Sequence, residues 1–136
     1  MYCFSADTVS HLDDCYNLAR VAYVLLAALG AAALVGLVFC GITGRKRLVG
    51  AVLLASGIVV LVSFAALGVF AAIDFQRFFA TFHALFFSQG NWQFPYDSLL
   101  ICSLPTAFWT GMGVVWLAVS TLASILSVVI GLKLRK

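Results

Sequence analysis

The sequence predicts an all-α integral membrane helical bundle with three transmembrane helices and an interfacial aromatic segment gathered on one side of the membrane. Three observations predict it. Of the 136 residues 64% are hydrophobic and only 10% are charged, with a mean hydropathy of +1.12, more apolar surface than a soluble domain of this size can bury. Three uncharged runs are each long enough to cross a bilayer core. The few charges cluster at the ends of those runs.

In chain order, residues 1–18 form a polar outer segment, 19–42 the first transmembrane helix and 43–47 a loop carrying Arg45, Lys46 and Arg47. Residues 48–73 form the second span, slightly long and so tilted. Residues 74–106 form the interfacial cap segment, 107–132 the third span, and 133–136 a tail with Lys133, Arg135 and Lys136. With three crossings, both basic clusters fall on one side, and the positive-inside rule makes that side cytoplasmic. The N-terminus and the cap segment are then extracytoplasmic, with all five acidic residues and both histidines, His11 and His83. Met1 to Asn17 is polar and has no basic n-region, so it is no signal peptide. An outside N-terminus without an export signal points to a further helix upstream or to a short N-terminus flipped after synthesis.

Several function classes are disfavoured. The net charge of +3 is small, and the basic residues are not interleaved with stacking aromatics, so no nucleic-acid partner is expected. No ionisable group lies in the middle of a run, against an ion pump or proton relay. There is no GxSxG. The four cysteines, Cys3, Cys15, Cys40 and Cys102, make no zinc-type spacing, and no metal or other cofactor is expected. Cys3, Cys15 and Cys102 share the outer side, where a disulfide could form. Small residues in the first span, above all Ala32-x-x-x-Gly36, predict close helix packing.

The cap segment carries the chemistry. Phe75, Phe79, Phe82 and Phe86 recur at helical spacing, with Phe78 and Phe87 beside them, and Gly90-Asn91 ends the helix. Trp92, Phe94, Tyr96, Phe108 and Trp109 follow. An interfacial aromatic belt is the bland explanation. Yet the other side has no matching aromatics, and these surround His83, Asn91, Gln93 and Asp97. Ser10-x-x-Asp13 resembles a capping box at the start of the first helix. His11 and Asp14, three apart, share a helix face, where a carboxylate could fix the imidazole tautomer. Two histidines on one side, each where a helix meets the interface, could be general acid and base, could ligate a metal with Asp14, or could be purely structural.

The string Phe82-His83-Ala84-Leu85-Phe86-Phe87, then Gly90-Asn91-Trp92-Gln93-Phe94, Asp97-x-Leu99-Leu100-Ile101, Leu104-Pro105 and Phe108-Trp109, resembles the bacterial lipoprotein intramolecular transacylases. Phe4-Ser5 and His11-Leu12-x-Asp14 are similar to that family's other motif. The resemblance covers most of the chain. It implies a bacterial plasma-membrane enzyme, N-terminus outside and C-terminus cytoplasmic. Its substrates would be diacylglyceryl-modified lipoproteins presented in membrane lipid. The enzyme would move the sn-2 acyl chain to the amine of the lipoprotein's N-terminal cysteine, giving a lyso-form lipoprotein. By motif position the catalytic residues are His11 and His83, with the acid and base roles open. Asp14, Phe79, Phe86, Phe87, Asn91, Trp92, Phe94, Asp97 and Trp109 are expected around the substrate, and Asn91 or Trp92 would serve as oxyanion donor. Family members usually carry another helix and more cap sequence before the first motif, so the complete enzyme would have four helices. Cys15 and Tyr16 replace the usual valine and basic residue after Asp14, and Thr106 replaces a common acidic residue after Pro105. The alternative is a non-catalytic membrane binding or assembly protein, or a truncated inactive relative. A metal-dependent membrane hydrolase is a third reading.

Overall fold

The computed structural model describes residues 4–87 and 89–136. The helices among them are α1 (Ala6–Ile42), α2 (Lys46–Ile73), α3 (Phe75–Phe86), α4 (Leu99–Ser103) and α5 (Thr106–Arg135), with no strand among the described residues. α1, α2 and α5 are the three helices long and apolar enough to span a membrane. The all-α class and the multi-pass membrane character therefore stand.

α1 begins earlier than the Ser10 cap predicts. Ser5 Oγ accepts from the Thr8 backbone N–H at 3.2 Å, capping chemistry a full turn upstream, and no Gly or Pro interrupts residues 6–20. At 37 residues and 1.5 Å per residue, α1 is about 55 Å long, well beyond a hydrocarbon core of about 30 Å. Its first turns, from Ala6, therefore precede the apolar run. The helix ends in a Schellman turn: Gly44 has φ +66°, and the Arg45 N–H reaches the Cys40 carbonyl at 2.9 Å. Glycine fits this left-handed position without a Cβ penalty.

The chain forms two compact units. One comprises Leu26–Val69 and Val114–Lys136. There α2 and α5 pack antiparallel, because Gly50 faces Gly131 and Arg135, Gly57 faces Ser124 and Val128, and Gly68 faces Leu117. The two basic clusters thus meet at one end of this helix pair. Ser127 Oγ donates to the Leu53 carbonyl across it at 2.9 Å, a polar tie of the kind that joins helices in lipid. The expected close packing through Ala32-x-x-x-Gly36 does not occur among the described residues: Gly30, Gly36 and Gly41 face open space. Small residues permit close approach but do not choose it, and the glycines used are Gly50, Gly57 and Gly131.

The other unit comprises residues 4–25 and Phe70–Gly113. Here the outer turns of α1 meet α3, the following loop, α4 and the first turns of α5. Asp74 caps α3, its carboxylate accepting from the Arg77 N–H at 2.9 Å. α3 stops at Phe86, and Gly90 turns the chain with φ +74°. Ser98 caps α4, and Leu100 beneath it is buried.

Candidate active site

The buried stripe of α1 is Thr8, His11, the half-buried Asp14 and Cys15, and Leu18, recurring at three- and four-residue spacing as one helix face requires. His11 is 6% exposed. His83, a turn before the end of α3, is 8% exposed. The two imidazole centroids lie 5.8 Å apart. Aromatic rings enclose them: Phe79 is 4.0 Å from His83, Trp92 4.9 Å and Phe87 5.4 Å, while Phe87 meets His11 edge-on at 4.8 Å and Phe94 stands 5.7 Å away. Helix spacing explains part of this, since Phe79 and Phe87 flank His83 four residues to either side and share its face.

Hydrogen bonds distinguish the rings. His83 Nδ1 lies 2.8 Å from the Phe79 carbonyl oxygen. A carbonyl only accepts, so Nδ1 carries the proton and the neutral ring presents its lone pair at Nε2. His11 Nε2 lies 3.6 Å from the Cys15 sulfur, and its Nδ1 is buried without a partner among the described residues. The expected His11–Asp14 pairing is replaced. The Asp14 carboxylate accepts from Asn91 Nδ2 at 3.1 Å, and the same amide nitrogen donates to Ser10 Oγ at 3.2 Å. This clamp fastens the loop after α3 to α1 and commits both Asn91 protons, so Asn91 has no free donor for an oxyanion.

A family profile described as lipoprotein intramolecular transacylase Lit matches residues 2–109, well over half of the chain. The chain belongs to the lipoprotein intramolecular transacylase family. No curated protein and no solved structure matches it significantly.

In this transacylase-family chain, the residues expected around the substrate divide by position. His11, His83, Phe79, Phe87, Trp92 and Phe94 converge, and Asp14 and Asn91 brace them. Phe86 packs on Phe82 at 4.8 Å and is half exposed. Trp109 stands 6.3 Å from Phe79 and donates from Nε1 to the Leu104 carbonyl. Asp97 is exposed and stands outside the cluster. Cys15 and Cys102 carry free thiols, and Cys3 lies outside the described residues. No three His, Cys, Asp or Glu side chains converge as a metal-ligand set among the described residues. The sequence motifs give Cys15 and Ser10 no site role, although Cys15 stands four residues after His11 and so shares its face.

The setting governs protonation. Burial lowers the pKa of His11 below its ordinary value; the neighbouring His83 lowers it further, and Asp14 opposes them. Burial also lowers His83, against the Phe79 carbonyl bond. Burial first, then Asp14, raises Cys15, keeping it a thiol. Both rings are therefore neutral at pH 7. In the unfolded chain these histidines take up protons at higher pH than in the fold, so stability rises with pH across that interval. It is complete above the ordinary value of about 6.5 and declines as pH falls below it. The melting temperature in detergent should thus drop between pH 7 and pH 5, and the drop should shrink in the His11→Gln, His83→Gln double variant. An equal drop in both proteins would contradict this account.

Proposed function

We propose that this chain moves the sn-2 acyl chain of a diacylglyceryl lipoprotein to the amine of its N-terminal cysteine, at the bacterial plasma membrane, with the histidine end outside and the basic end cytoplasmic. The family supplies the general reaction. The observation that supports the finer reading is a buried, neutral histidine pair whose rings differ in their free nitrogens.

The amine arrives as an ammonium, so two protons leave nitrogen during the reaction. His83 Nε2 takes the first and passes it to water. The free amine attacks the ester carbonyl, and the N–C bond forms. Collapse of the tetrahedral adduct breaks the bond to the glyceryl oxygen. His11 fits the donor role. His11 Nε2 lies against the Cys15 thiol, which stays protonated; with the thiol as donor, the His11 proton sits on Nδ1, which is buried without a partner among the described residues. His83 Nε2 takes up the second proton from nitrogen as the adduct forms and delivers it to the glyceryl oxygen, toward which the His11 Nδ1–H donates a hydrogen bond. Imidazole suits both tasks because its pKa lies near the working pH. Ester and amine belong to one molecule, so the protein mainly orients them. Phe79, Phe87, Trp92 and Phe94 keep water from the ester.

The test is mass spectrometry of lipoproteins from a bacterial strain lacking its own transacylase. Expression of this chain should convert diacylglyceryl lipoproteins to the N-acylated lyso-form. Unchanged lipoproteins, with the chain present in the membrane, would reject the proposal.

A further inference from the structure

Beside the histidine pair lies a cleft of about 300 Å³. α1 lines it with Asp14, Asn17, Leu18 and Val21, four positions on one helix face. Phe86, Phe87 and Gln89 complete the lining. The chemistry changes along α1. Asp14 and Asn17 are polar, Leu18 and Val21 are apolar, and the step from Asp14 to Val21 covers about 10 Å of helix axis. Its apolar end coincides with the start of the uncharged run Val21 to Ile42. Phe87 joins the cleft to the site. It is a cleft wall, 6% exposed, and its ring touches both imidazoles.

A groove that is polar beside the catalytic pair and apolar toward hydrocarbon matches one acyl chain lying with its ester at the polar end. We propose that this cleft holds the acyl chain that is transferred, its carbonyl at the histidines and its methyl end leaving past Val21 into lipid. The assignment rests on the function proposed above and deepens it. The reacting carbonyl must lie within reach of the imidazoles, and the cleft that opens beside Phe87 gives the attached chain a path away from them. Val21 is 57% exposed, so the far end is open and sets no sharp upper limit on chain length.

The experiment uses the full chain in nanodiscs with synthetic diacylglyceryl lipopeptides in two series. One varies the length of the sn-2 chain with the sn-1 chain fixed; the other does the reverse. Leu18→Trp narrows the middle of the groove. It should lower kcat/KM for long relative to short sn-2 chains by about tenfold, at the low end of what hydrophobic pockets discriminate, and leave the sn-1 series unchanged. Val21→Trp, at the open mouth, should do the same for the longest sn-2 chains alone, and serves if the first variant fails to fold. A shift in the sn-1 series, or unchanged selectivity in both, overturns the assignment while the functional reading survives. Absence of transfer by the unsubstituted chain on every substrate overturns both.

Discussion

Replacing His83 by alanine is expected to lower the rate of lyso-form lipoprotein formation by roughly 10²–10⁴-fold, the usual contribution of a positioned acid or base. The ring has two separable roles. It fills space among Phe79, Trp92 and Phe87, and it presents a lone pair at Nε2 because the Phe79 carbonyl holds the proton on Nδ1. Alanine removes both. Phenylalanine keeps the bulk and removes the Nε2 lone pair together with the Nδ1–H bond to the Phe79 carbonyl, so His83→Phe should fold and still lose most activity. His11→Ala should cost a similar factor. The double variant should be little worse than either single one, because residues acting in one proton circuit are strongly non-additive. Substantial activity in His83→Phe, measured by lipopeptide turnover and normalised to folded protein, would assign the histidine to packing and reject the base role.

Much of this architecture is legible in the sequence because lipid imposes simple rules. Uncharged runs mark α2 and α5 to within a few residues, since a helix crossing hydrocarbon must satisfy its own backbone. The start of α3 coincides with Asp74, which caps it, while the helix stops at Phe86, before the Gly90 turn that the sequence marks as its end. The histidine cluster is legible in part. Phe79 and Phe87 flank His83 at helical spacing, but the approach of His11 to His83 spans more than seventy residues of sequence and comes only from the fold. Local pattern misled at the start of α1. Ser10 and Asp13 read as a cap, yet Ser5 caps the helix and Ser10 serves the Asn91 clamp. Local spacing likewise sets Asp14 beside His11, three residues away, whereas Asn91, far along the chain, donates to the carboxylate.

Small residues give the other contrast, and with it a large stability effect. A Cβ at Gly131 would stand 2.7 Å from the Leu54 backbone nitrogen and 2.8 Å from the Gly50 carbonyl oxygen. Both are backbone atoms that cannot swing aside, so a side chain there must force α2 and α5 apart. Gly131→Leu should therefore destabilise the protein by about 1–3 kcal/mol or more, the range for overfilling a tight contact. A Cβ at Gly36 would meet no atom beyond its own helix backbone within 4 Å among the described residues. Gly36→Leu should change stability by no more than about 0.5 kcal/mol, or raise it slightly through better helix propensity. The two substitutions add the same side chain to glycines of spanning helices, so their difference isolates helix–helix contact from propensity and lipid exposure. Melting curves of the purified variants in one detergent measure it. Equal melting temperatures would mean that the α2–α5 contact contributes nothing to stability. A lowered value for Gly131→Leu alone would locate a tight helix–helix constraint at the glycine pair Gly50 and Gly131, positions that no periodicity in the sequence separates from Gly36.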